Sequence, residues 1–224
     1  VNFYDIALTI SKFVDAYYSK FYFNHTHAFN HLVTTALTLV RRHLRIARST
    51  GVALLIHFIF IDYYTTENIV ASMHYFLNNL VAALYECPPY RMGIYKALLD
   101  RIRLFVTSYH YDDWIANVLD HLGKAKVIYD SITVLRSPSK APELHIQMMR
   151  QIADTLNTYP LLRLRWLRKI VQYNQQYFFY AQAFEGQMHV VALIDRMIRL
   201  LDKEHIPELD YSFVEETAQE KTID

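Results

Sequence analysis

Residues 142–201 read PELHIQMMRQIADTLNTYPLLRLRWLRKIVQYNQQYFFYAQAFEGQMHVVALIDRMIRLL, and this stretch decides the fold. Proline fits the first turn of a helix, where its missing N–H costs nothing. The residue before it is pushed out of the helical region. Pro142 and Pro160 therefore each open a helix, with Ala141 and Tyr159 outside. A third helix, carrying Ala181, Ala183, His189, Ala192 and Leu193, follows a turn at Tyr173–Gln176. In the second helix Leu161, Leu164 and Ile170 can face one neighbour while Trp166 and Leu167 fill the adjacent side. Arg163, Arg165, Arg168 and Lys169 are then solvated or paired across the layer. The three segments read as antiparallel helices of one repeat-like layer rather than as the walls of an enzyme pocket.

The same periodicity extends upstream. Phe3, Ile6, Ala7, Ile10, Phe13, Val14 and Tyr17 recur at three- and four-residue steps, the stripe of an amphipathic helix. A second helix is expected from His27 to Arg48, with Leu32, Val33, Ala36, Leu37 and Val40 on its buried side. Ser49-Thr50-Gly51 punctuates it, and a very apolar helix follows to Tyr63. Thr65 or Thr66 can cap the next, which holds Ile69, Val70, Met73, Phe76, Leu77, Leu80 and Val81. Pro88-Pro89 ends it. Further helices are expected from Tyr90 to Tyr109 and, capped by Asp112 or Asp113, to Leu135, with Gly123 a weak point inside. Nine helices with short connections make an all-α fold, a stacked antiparallel array of the armadillo or TPR kind, although no exact sequence period is present. The linker-like run Arg136–Ala141 places a boundary between a helical region 1–136 and a second region 137–201, followed by an acidic tail 202–224.

Composition agrees with a helical reading. Of 224 residues, 53% are apolar and 20% charged, so the chain is not disordered by composition. Four glycines and six prolines are too few for the many turns of a sheet protein. The single cysteine, Cys87, excludes an internal disulfide and suits a reducing, cytoplasmic compartment. The longest apolar run, Val52–Ile61, is too short for a membrane span, so no transmembrane segment is expected. With no basic stretch or small-residue cleavage site at its start, no secretory leader is expected, and the start at Val1 without a methionine suggests a piece of something longer or a processed boundary. Net charge is +1, but residues 202–224 hold eight acids and two lysines, −6, which leaves +7 on the remainder.

From Pro142 to His205 the chain resembles the DOCK (dedicator of cytokinesis) family of guanine nucleotide exchange factors, at the start of the family's second homology region, its first lobe. Members show there a Pro-Glu pair, an Ile-Ala helix, a Pro-x-Leu-Arg-x-x-Trp-Leu segment, and an alanine-rich helix with a His and an Ala-Leu pair. Here those positions are Pro142-Glu143, Ile152-Ala153, Pro160, Leu162-Arg163, Trp166-Leu167, Ala183, His189 and Ala192-Leu193, in register without gaps. Val214-Glu215-Glu216 is similar to an acidic stretch that follows, and Arg48–Gly51 with Leu54-Leu55 resembles a segment leading into the family's armadillo-like repeats. Two departures mark a divergent member. Gln182-Ala183-Phe184 replaces a glutamate and two alanines, so a ring at Phe184 forces wider helix spacing or a repacked neighbour. The turn before that helix lacks the family's glycine.

The resemblance implies a scaffold role. Contact with a Rho-family small GTPase and expulsion of its nucleotide belong in the family to two later lobes, and no residue here matches the nucleotide-sensing loop. It implies a homodimer, recruitment of the cytoplasmic full-length protein to membranes, no cofactor, and no exchange activity in this chain by itself. The alternative is a stand-alone helical-repeat interaction module whose concave face holds a peptide or helix. Other constellations read as structural. His27 and His31 have the i, i+4 spacing of metal ligands, with His25 nearby, but no intervening acid, so no metal site is expected. Arg41, Arg45 and Arg48, with Arg42 beside them, read as a solvated helix face rather than a phosphate or anionic-lipid site, and no nucleic acid partner is expected, because net charge is near zero and interleaved aromatics are absent. No phosphate-cradling glycine loop or nucleophile elbow is present.

Overall fold

Val33, Ala36, Leu37 and Val40 recur on one helical face, and all four are buried on α1, Thr26–Val40. The computed structural model describes residues 26–67, 69–108, 112–137 and 141–201, with isolated positions 9 and 12. Within them lie eight α-helices and no strand: α1, then α2 (Arg45–Thr66), α3 (Val70–Glu86), α4 (Gly93–Thr107), α5 (Asp112–Leu135), α6 (Pro142–Thr155), α7 (Pro160–Gln176) and α8 (Tyr180–Leu201). The expected first helix around Phe3–Tyr17, the His25 position, the loop 138–140 and the acidic tail lie outside the described residues.

The chain forms two compact units, Val1–Tyr129 and Asp130–Asp224. The division between these units falls at Tyr129–Asp130, within the helix α5.

In the first unit α1 packs on α2, α3 and α4, and α2 packs on α3 and α4. The core is aliphatic and aromatic: Leu54, Leu55, Phe58, Met73, Phe76, Leu77, Leu80, Leu98 and Ile102 are buried. The start of α5 is fixed to α2 by aromatic rings. Trp114 sits edge-on to Phe60 with centroids 5.9 Å apart, and 6.3 Å from Tyr63. Such geometry adds to the simple burial of area.

Three local expectations are corrected here. The α1 helix ends at Val40, and the chain turns through Arg41–Leu44 before α2 begins at Arg45. Ser49-Thr50-Gly51 therefore lies within α2. Gly51 is not a stop: a Cβ there would stand 2.5 Å from the carbonyl oxygen of Ala36 and 2.9 Å from Val40 Cγ2. The residue is glycine because two helix backbones cross at that point, a use of glycine that sequence alone does not separate from a breaker. Second, the cap of α3 comes from a distant carboxylate. Asp62, fully buried on α2, accepts a hydrogen bond from the Ser72 amide at 2.8 Å. This satisfies one of the orphan N–H groups of the helix start and sets a carboxylate at the positive end of its dipole. Third, Pro88-Pro89 leads into a 3₁₀ turn, Pro89–Arg91, so α4 begins at Gly93 rather than Tyr90.

By length and composition α2 is the one described helix apolar enough to cross a membrane. Here Leu54, Leu55, Phe58, Ile59 and Asp62 are buried within the fold, so it is packed as a core helix.

His121, buried on α5, sets a pH dependence. The Asn117 carbonyl, 2.8 Å from Nδ1, can only accept, so Nδ1 carries the proton. Burial, aided by the nearby Lys124, holds the imidazole below its ordinary value of 6.5, against smaller raising effects of the Asn117 carbonyl and Asp120. The unfolded chain then takes up the proton at higher pH than the folded one. Stability is full above the unfolded value and falls as pH drops through it toward the folded value. The expected result is that His121→Gln flattens the acid-side loss of stability between about pH 7 and 5, measured by urea unfolding. An unchanged slope would assign that loss to other groups.

Candidate functional site

The residues carrying the family resemblance lie in the second unit, where α7 packs on both α6 and α8. Local signals place each helix. Pro142 and Pro160 both occupy the first helical turn, preceded by Ala141 and Tyr159 in non-helical conformation. Glu143 adds an acidic side chain to the first turn of α6, where the helix dipole favours it. Ile152 and Ala153 are buried near the end of α6, and Leu156 closes it with its own side chain buried.

A middle helix must bury two faces, and α7 does. Leu162 and Arg163, Trp166 and Leu167, and Ile170 and Val171 are buried as three adjacent pairs about one turn apart, followed by Asn174. This stripe is rotated from the expected one in that Leu161 is exposed, while Arg163, expected to be solvated or paired across the layer, is only 1% exposed and takes the second of these arrangements. Its guanidinium lies 3.9 Å from the Asp154 carboxylate at the C-terminal end of α6. The outward side of α7 carries Arg165, Arg168 and Lys169. The Lys169 ammonium stands 4.4 Å over the Trp166 ring, so the indole is capped by a cation where it nears the surface. Partial burial, then the neighbouring Arg165, lowers the Lys169 pKa.

On α8, Ala183, Ala192 and Leu193 are buried and His189 is half-buried. The Phe184 ring does not force the helices apart, as its size alone would suggest: it is 65% exposed and points away from the layer. Close approach instead uses Gly186, where a Cβ would meet Val171 Cγ2 at 3.1 Å. The resemblance does not single out this position. Its signal in the sequence is a lone glycine three residues after Ala183 in an otherwise helical pattern.

The turn between α7 and α8 falls at Tyr177–Phe179, later than the expected Tyr173–Gln176, which lies at the end of α7. Phe178 takes the left-handed conformation, φ 61°, that glycine adopts more readily. Aromatic rings crowd this end. Tyr173 and Tyr177 lie 4.7 Å apart, and the Tyr173 hydroxyl is 2.9 Å from His145 Nδ1, which joins α6 to α7. Burial, and next the hydrogen bond with Tyr177, push the Tyr173 phenol up to about 12. Phe178, Tyr180 and Phe184 are exposed beside it. The aromatic run Tyr177-Phe178-Phe179-Tyr180 is the sequence signal for this surface.

The remaining candidates stay apart from this layer. His31 is exposed on α1, and the side chains of His25 and His27 lie outside the described residues. Among the described residues no three His, Cys, Asp or Glu side chains gather as a metal site would require. Cys87 is buried at the end of α3. No family model, curated protein or solved structure matches this chain.

Proposed function

We propose that this chain is a scaffold segment of a DOCK-type guanine nucleotide exchange factor for Rho-family small GTPases. In this reading it braces catalytic lobes that the sequence does not contain and supports homodimerisation. The observation that carries it is the Pro-x-Leu-Arg-x-x-Trp-Leu segment. Pro160 opens α7, and Leu162, Arg163, Trp166 and Leu167 all fall on its buried stripe. The other matching apolar positions, Ile152, Ala153, Ala183, Ala192 and Leu193, are buried on the two flanking helices. A motif whose members share one packed layer is what a bracing element requires, since each side chain acts by holding its neighbours.

Exchange needs no covalent chemistry. A factor that binds the nucleotide-free GTPase more tightly than the loaded one lowers nucleotide affinity by the same ratio, and nucleotide and magnesium leave. The α6–α8 layer has no part in that contact, so it is expected to be inert alone. The test is release of a fluorescent guanine nucleotide from Rho-family GTPases. The full-length gene product is expected to accelerate release, and residues 1–224 are not. Acceleration by the 224 residues alone, or none by the full-length product, would contradict the proposal.

One observation favours the second reading, an interaction module in its own right. Phe178, Tyr180 and Phe184 form an exposed aromatic group at one end of the layer, and exposed aromatics are enriched where proteins meet. A full-length product without exchange activity would favour it.

A further inference from the structure

The corner joining α1 to α2 has a composition that neither the fold nor the exchange-factor reading uses. Residues 42–46, Arg-His-Leu-Arg-Ile, are all exposed in succession. Leu44 is 61% exposed and Ile46 62%, while Ala47, the next residue, is completely buried. The backbone is therefore anchored in the core immediately beyond two large aliphatic side chains held in water. Arg42, Arg45 and Arg48 surround them, and none forms an ion pair among the described residues. Arg41 behaves differently: it pairs with Glu86 at 3.0 Å. Arg91 donates to the Arg41 carbonyl, which draws the Pro89–Arg91 turn against the corner. That turn presents Tyr90, 87% exposed.

We propose that this corner is a membrane-contact site that takes the surface of an anionic bilayer. The charge is complementary: Arg41, Arg42, Arg45, Arg48 and Arg91 gather at this corner, and among the described residues the one carboxylate paired with them is Glu86, engaged by Arg41. Arginines beside an anionic leaflet are attracted to it over a Debye length. The aliphatic tip supplies what charge does not. Leu44 and Ile46 reach the acyl boundary once the arginines lie at headgroup level, and an exposed tyrosine at the same corner suits the interfacial zone. A nucleic acid would engage the arginines equally well but would leave Leu44 and Ile46 in water. The two ties from Arg41 and Arg91 hold the corner in shape, so little ordering is needed on contact. The face differs from the solvated helix stripe expected from sequence, because the helix breaks at Arg41 and turns the arginines around a projecting apolar tip. This inference is independent of the exchange-factor reading and stands or falls without it.

The test is cosedimentation of the 224-residue chain with phosphatidylcholine vesicles, with and without phosphatidylserine, and binding of a duplex RNA in parallel. The expected result is binding that requires phosphatidylserine and is released by salt. Arg42→Glu with Arg45→Glu is expected to weaken it about tenfold or more, and Leu44→Ser with Ile46→Ser to weaken it about as much. All four side chains are exposed, and circular dichroism checks that both variants fold. Three outcomes would overturn the proposal. One is no binding to phosphatidylserine vesicles. A second is RNA binding that falls with the Glu pair while vesicle binding ignores the Ser pair. The third is binding that survives salt and alkaline carbonate and is untouched by either pair, which would place the membrane affinity in the apolar helix α2.

Discussion

Trp166→Ala is expected to lower the stability of the second unit by about 3–5 kcal/mol, the range for truncating a buried aromatic side chain. The size follows from position. Trp166 is on the middle helix of the layer and only 4% exposed, so the deletion removes a large buried ring from a helix packed on two sides. Losing the ring also removes the surface on which Lys169 rests. Trp166→Phe keeps most of the volume and is expected to cost much less. The chain has two tryptophans, one in each unit, which makes the measurement selective. In Trp166→Ala the fluorescence of Trp114 follows the first unit alone, while circular dichroism follows both. The helical signal of residues 130–201 is expected to melt early while Trp114 fluorescence holds its midpoint. A cost below about 1 kcal/mol, a value typical of surface substitutions, would show that the layer does not depend on this side chain.

Gly51→Ala is expected to destabilise the first unit by about 2–3 kcal/mol, against the general rule that alanine improves a helix. The new methyl would meet the Ala36 carbonyl oxygen at 2.5 Å and the Val40 amide nitrogen at 2.9 Å. Both are backbone atoms of α1, which cannot rotate out of the way as a side chain can. The helices must separate, and the contact they give up includes Val40 and Ala47, both buried in the core. Gly123 is the control. It lies in α5, and a methyl added there would meet nothing within 4 Å, so Gly123→Ala is expected to gain about 0.5–1 kcal/mol from helix propensity alone. Thermal unfolding of the two variants side by side checks the contrast. Equal shifts in the same direction would mean that α1 and α2 do not cross at Gly51.

Much of the helical organisation is legible in the sequence because it is written in local chemistry. Pro142 and Pro160 announce two helix starts, and Met73, Phe76, Leu77 and Leu80 trace a buried stripe without ambiguity. What escapes depends on partners distant in sequence. Gly51 looks like punctuation unless one knows that Ala36 lies against it. The α3 cap comes from Asp62, ten residues upstream of Ser72, where sequence offers nearer hydroxyls. The buried face of α7 is misjudged for a related reason. A helix flanked on two sides buries a wider stripe than a surface helix, and a stripe that includes Arg163 is masked by the charge of the residue. Phe184 fails in the opposite direction, since an apolar ring suggests burial and this one is exposed. The matching positions of the resemblance are legible as residues, but their sharing of one layer needs the α6–α7–α8 packing.

The most direct measurement of the proposed role is a pulldown of the full-length gene product on a panel of Rho-family small GTPases, each prepared nucleotide-free, GDP-loaded and GTP-loaded. The expected result is selective retention on at least one nucleotide-free GTPase, with residues 1–224 by themselves retained on none. Equal retention on all three forms, or capture by the 224 residues alone, would contradict a bracing segment within an exchange factor.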